Sequence, residues 1–171
     1  MNKAGNLWAV VFDDPAAAER VREEVRALQD VHCLILDDVA IVTHLPDGSL
    51  RFDREPNPGL AVTGGLGLVG FLAGLVVAQP LAGAAVGTLV GGALAAAGAR
   101  VGISDEFVRE VEALMTPGAT VLFVMDEWGD REAVLYHLRG LGGKVLKTNV
   151  DPGWAKEVQA ALATPPAATA N

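Results

Sequence analysis

Residues 7–44 read LWAVVFDDPAAAERVREEVRALQDVHCLILDDVAIVTH, and this stretch decides the fold. Residues 7–12 are a continuous apolar run, the pattern of a buried strand. Asp13 and Asp14 stop it, and Asp14 before Pro15 is an N-cap followed by a residue suited to the first helical turn. The helix predicted next runs to about Gln29. Val21, Val25 and Leu28 make its apolar stripe, with Glu19, Arg20, Arg22, Glu23 and Glu24 on the wet side. A second strand region spans residues 33–44. Pro46-Asp47-Gly48 is turn chemistry that lets residues 50–52 pair back as a short hairpin.

The same order returns in residues 120–150, TVLFVMDEWGDREAVLYHLRGLGGKVLKTNV. A strand is predicted over 120–125, stopped by Asp126 and Glu127. A helix follows over about 130–141, with Val134, Leu138 and Leu141 on one side and Gly142-Gly143 at its end. Residues 144–150 form the last strand. Two strand-helix-strand units predict an α+β fold, a ferredoxin-like βαββαβ sandwich with both helices on one face of an antiparallel sheet. Asp151-Pro152 caps a final amphipathic helix whose Trp154, Val158 and Leu162 face inward, and the Ala/Pro/Thr-rich tail 164–171 reads as disordered. The chain then divides into a first half of the head (1–56), a glycine-rich hairpin (57–103), a connecting helix with the second half of the head (104–150), and a C-terminal helix and tail (151–171).

The chain has 171 residues and a net charge of −8, with 21 acids against 13 bases. That size holds one domain with a real core. An acidic balance argues against nucleic acid as a partner, which needs a basic surface. A single cysteine, Cys33, excludes an internal disulfide framework.

The charge is unevenly spread. Residues 60–99 contain no Asp, Glu, Lys or Arg, and they hold 10 of the 20 glycines. Pro80 divides them into arms of 20 and 19 residues, each close to the roughly 30 Å of a hydrocarbon core if helical. Gly83, Gly87, Gly91 and Ala95 recur every four residues, and Gly67, Gly70 and Gly74 mark the first arm. On helices these are packing ridges, a glycine zipper inserted between the halves of the head.

Two readings stay open. In one, the block is a transmembrane hairpin in the inner (cytoplasmic) membrane, with the lipid bilayer and further copies of the chain as partners. In the other, it is buried at the centre of a soluble homo-oligomer. Residues 1–6 are short and polar and residues 7–12 too short for a signal-peptide core, so the N-terminal part is expected to stay in the cytoplasm, with both ends of a hairpin on that side.

Residues 102–126, GISDEFVREVEALMTPGATVLFVMD, carry the most specific text. They resemble the bacterial family known as domain of unknown function 1269. The shared order is an N-terminal strand and helix, an Asp-Gly hairpin at Asp47-Gly48, the apolar glycine-rich stretch, a Gly-Ile-acidic-Phe helix start at 102–107, and the Pro117-Gly118 turn before a strand. The likeness covers about residues 7–150. It implies membrane association and no catalytic residue. The residues themselves agree on a helix here, with Ser104 as N-cap and Phe107, Val111 and Leu114 as the buried face.

Other motifs carry less. Residues 65–70 fit GxGxxG, but no acid follows until Asp105, so the ribose partner of a dinucleotide site is missing. His32, His44 and His137 lie far apart without ligand spacing and read as surface or satisfied core residues. Asp13-Asp14, Asp37-Asp38 and Asp126-Glu127 are acidic pairs; the first and third sit at equivalent strand exits, where helix capping is the expected role and a cation or small-ligand site the alternative. No catalytic, cofactor-binding or metal-binding residue is predicted, and no enzyme. The expected function is a membrane-anchored structural or regulatory module that oligomerises through the hairpin and displays the head. The alternative is a soluble oligomeric regulatory protein that binds a small molecule of unknown identity.

Overall fold

Strand β1, Asn6–Phe12, forms because each of its faces meets a different apolar layer. Trp8, Val10 and Phe12 enter one core and Leu7 and Ala9 the other, the period-two alternation of a strand. The structure is a computed structural model that describes residues 6–54, 105–146 and 152–165. After β1 come helix α1 (Pro15–Asp30), β2 (Leu34–His44) and β3 (Leu50–Arg54). Then follow α2 (Asp105–Leu114), β4 (Thr120–Gly129), α3 (Arg131–His137), β5 (Lys144–Leu146) and α4 (Pro152–Ala163).

The strands make one five-stranded sheet in the order β3-β2-β4-β1-β5, and every neighbouring pair is antiparallel. β1 and β2 therefore run the same way with β4 between them, and β4 and β5 the same way with β1 between them. The fold is α+β, with four helices among the described residues.

Helices α1, α3 and α4 cover one face of the sheet. Val21, Val25, Leu28, Val134, Leu138, Val158 and Leu162 pack there against Trp8, Val10, Leu122 and Val124. Helix α2 covers the opposite face, where Phe107, Val111 and the following Met115 meet Leu7, Ala9, Val121 and Phe123. Because β1 and the first part of β4 are buried on both faces, residues 7–12 and 121–125 read as unbroken apolar runs.

The first half follows the sequence reading. Asp14 caps α1, accepting a hydrogen bond from the Ala16 N–H at 3.0 Å, and Val21, Val25 and Leu28 are buried. Arg22 departs from it. Its side chain is buried instead of wet, because its guanidinium reaches Asp53 of β3 at 3.2 Å and ties the helix to the edge strand.

The second half departs more. β4 does not stop at Asp126 but continues to Gly129, and Asp130 caps α3 through the Ala133 N–H at 2.9 Å. α3 ends at His137 rather than near 141. Gly140 turns into the left-handed region and its N–H bonds the Ala161 carbonyl of α4 at 2.9 Å, so the chain leaves the helix to meet α4. Ser104, residues 147–151, and the predicted ridge of Gly67, Gly70, Gly74, Gly83, Gly87, Gly91 and Ala95 lie outside the described residues.

The expected transmembrane helix and inner-membrane location are corrected. Among the described residues no helix is long and apolar enough to cross a membrane. The longest, α1, has 16 residues and carries charges along its wet side, where a span needs about 20 apolar ones. The block at 60–99 that suggested a span lies outside the described residues.

Two glycines test the packing against plain backbone strain. Gly143 has φ +103°, and a Cβ there would stand 2.6 Å from the Phe12 ring and 2.7 Å from a Val10 methyl. Gly48 has φ +84° with open space around it. Gly48→Ala should cost about 1 kcal/mol from strain alone. Gly143→Ala should cost about 2–4 kcal/mol, because a core clash is added. Urea denaturation of the two variants measures the difference.

Candidate functional site

In the antiparallel ladder of β1 and β4, Asn6 stands opposite Asp126 and Trp8 opposite Val124. All four side chains share the face that α1, α3 and α4 cover. Asp126 is 5% exposed, and both its oxygens are engaged. The Trp8 indole N–H donates to Oδ2 at 2.7 Å and the Asn6 amide donates to Oδ1 at 3.1 Å. Burial pushes this carboxyl above the usual carboxylate range, and the two donors oppose that push.

Asp126 lines a cavity of about 210 Å³ between the sheet and the α1/α3/α4 layer. Its walls are largely aliphatic, with Val10, Leu122 and Val124 from the sheet, Val21, Val25 and Leu28 from α1, Val134 from α3, Leu138 just after it, and Val158 from α4. The chain has three tryptophans, Trp8, Trp128 and Trp154, and all of them line this cavity. Trp8 and Trp154 meet edge to face, with centroids 6.0 Å apart. The Arg131 guanidinium lies 4.7 Å above the Trp154 ring and pairs with Glu157 at 3.2 Å.

Two consecutive register breaks lie beside Asp126. Ile35 pairs with Trp128 and Leu36 with Asp126, so Glu127 is the extra residue of β4. Leu36 pairs with Asp126 and Asp38 with Met125, so Asp37 is the extra residue of β2. Bulges of this kind re-aim side chains next to functional sites. Asp37 is half-buried, and its pKa is raised to about 6, first by burial and then by the charges of Glu127, Asp126 and Asp38. Asp38 has a different fate. Arg54 Nε bonds its two oxygens at 3.1 and 3.0 Å, and Arg54 Nη2 adds an ion pair at 2.8 Å.

The three acidic pairs thus separate. Asp37-Asp38 and Asp126-Glu127 converge, while Asp13-Asp14 lies at the far end of β1, because β1 and β4 run in opposite directions. The strand exits that match in sequence are not neighbours in space. Asp126 is a buried acceptor inside a strand, and it caps no helix.

The histidines go elsewhere. His44 Nδ1 is 2.6 Å from the Met115 carbonyl, His137 Nδ1 is 2.7 Å from Glu24 Oε2, and His32 is exposed. Among the described residues no group of three or more His, Cys, Asp or Glu side chains is placed to hold a metal ion. What remains is an apolar chamber with one polar, acidic end.

The raised pKa of Asp37 sets a pH dependence. The folded chain holds this proton more tightly than the unfolded chain, so stability from this group is greatest at low pH. It falls as pH rises from near 4 through about 6. Asp37→Asn removes the penalty. At pH 7.5 it should stabilise the protein by about 1 kcal/mol after allowing for solvent screening, or roughly 2–4 °C in Tm. At pH 4 the gain should vanish. Thermal melts of both proteins at the two pH values measure it.

Comparison with curated proteins and with solved structures finds no match. A family model described as "Protein of unknown function (DUF1269)" matches residues 61–163, which include α2, β4, α3, β5 and α4. With more than half of its length matched, the chain belongs to the DUF1269 family.

Proposed function

We propose that this protein is a regulatory module that binds a small molecule in the cavity between its sheet and the α1/α3/α4 layer, and that it assembles with copies of itself. The observation that carries the reading is the cavity. At about 210 Å³ it exceeds the roughly 150 Å³ of an engineered apolar cavity that takes up benzene. Apolar walls with a few placed polar groups are the usual make-up of a ligand site.

The architecture fits this role. The order β2-β4-β1-β5 supports a ferredoxin-like sandwich, with β3 as an added edge strand. The cavity draws walls from three helices and the sheet, so an occupant bridges both layers and stiffens their packing. Binding suits the polar end better than catalysis does. Asp126 is held still by two donors, a fixed acceptor and not a free proton shuttle. Self-assembly rests on the sequence, where Gly83, Gly87 and Gly91 repeat every four residues, a spacing that on a helix would make one face open to close backbone approach.

The test uses the tryptophans. Titration with 2-phenylethanol should give a saturable change in intrinsic fluorescence. At ten times Kd the stabilisation is about 1.4 kcal/mol, a rise of roughly 3–6 °C in Tm. Val25→Phe fills the cavity from α1 and should abolish both responses while the protein stays folded. A wild-type protein with no saturable response to this alcohol or to its amine and carboxylate analogues, 2-phenylethylamine and phenylacetate, would overturn the cavity as a ligand site.

A further inference from the structure

We propose that the ligand of this cavity is a small organic cation, with an apolar body of about one ring and a short chain, carrying a protonated amine that seats beside Asp126. The inference rests on the cavity being a ligand site, as proposed above, and specifies what that site selects.

The first argument is acceptor capacity. An ionised carboxylate offers about four lone-pair positions. Asn6 and Trp8 use one on each oxygen of Asp126, and both arrive as donors. A protonated amine brings further donors to the same two oxygens and a full charge to a group that burial disfavours as an anion.

The second argument is the local charge. The register breaks bring Glu127 and Asp37 next to Asp126, and repulsion among these carboxylates is part of what raises Asp37. Two guanidiniums of the neighbourhood are already engaged, Arg54 by Asp38 and Arg131 by Glu157. An anionic ligand would add to this repulsion, and a neutral one would leave it unrelieved. A cation relieves it.

The third argument is the wall. Trp8, Trp128 and Trp154 line the cavity, and indole is the best side chain for attracting a cation to its face. The protein already uses this attraction once, with Arg131 over Trp154 at 4.7 Å. The volume matches the body. A space of about 210 Å³ takes a single ring with a two-carbon arm.

Three probes of one shape separate the possibilities: 2-phenylethylamine, 2-phenylethanol and phenylacetate. Each is titrated into the full chain at pH 7.5, followed by tryptophan fluorescence and by the three indole N–H signals in 15N-labelled protein. The amine should bind at least ten-fold more tightly than the alcohol, with phenylacetate weakest. The Trp8 indole signal should move most with the amine, since its acceptor is the carboxylate that the amine shares. Asp126→Asn should bring the amine-to-alcohol ratio close to one with the Kd of the alcohol changed less than two-fold. Glu127→Gln, at an exposed position, should reduce the ratio two- to three-fold. If Asp126→Asn fails to fold, the Glu127→Gln ratio decides, and an unchanged ratio overturns the inference. An alcohol that binds wild type as tightly as the amine overturns the cation while leaving the ligand site standing. Failure of all three probes to saturate overturns the ligand site and this inference with it.

Discussion

Seven residues of β1 pair with β4 without a break, from Asn6 against Asp126 to Phe12 against Thr120, and every other element packs on that register. One alternation of side chains then serves both strands. Trp8 and Val10 share a face with Val124 and Leu122, and Leu7 and Ala9 share the other with Phe123 and Val121. A slip of one residue would exchange the faces. With β4 held in place, it would turn Asn6 and the Trp8 indole toward the α2 core and leave the buried Asp126 carboxylate on the opposite face without its two donors. The two-sided burial of the central strands therefore fixes the register, the hydrogen bond between them, and the position of the cavity.

Most elements were legible in the sequence because their signals are local. The apolar run of β1, the Asp14-Pro15 start of α1, the stripe of Val21, Val25 and Leu28, and the Asp47-Gly48 turn each depend on residues within one or two turns of each other. Asp126 was misread for the same reason. An acid after an apolar run looks like a stop, and only Asn6 and Trp8, far away in sequence, make it a buried member of a continuing strand. The stripe of Phe107, Val111 and Leu114 predicted that α2 is half-buried but carried no information on which face of the sheet it covers. The bulges at Asp37 and Glu127 exist only relative to a partner strand, so a single segment does not show them. The convergence of three tryptophans had one weak trace, the alternation of Asn6, Trp8 and Val10 along β1.

Adjacent aspartates illustrate how the bulges shape the polar end. Asp38 is buried and locked by Arg54, which answers its charge with direct hydrogen bonds. Asp37, one residue earlier, is the extra residue of β2, half out of the apolar layers and close to other carboxylates. An unpaired polar group in such a place costs stability. The fold places this cost beside a cavity rather than in the well-packed α2 layer, the pattern of strain concentrated where binding would relieve it.

The strand order also governs when the chain can fold. β1 is finished at residue 12, yet both of its neighbours, β4 and β5, come from residues 120–146. On a ribosome adding about 5–20 residues per second, β1 waits roughly 5–20 s before a partner exists. During that time β2 and β3 have each other as a local hairpin, while the apolar run LWAVVF has none. Such late, distant pairing slows folding, because loop closure precedes any gain from the contact. The most apolar strand of the first half is thus also the longest exposed during synthesis, and α1, which follows it at once and presents Val21, Val25 and Leu28, is the nearest surface able to shield it.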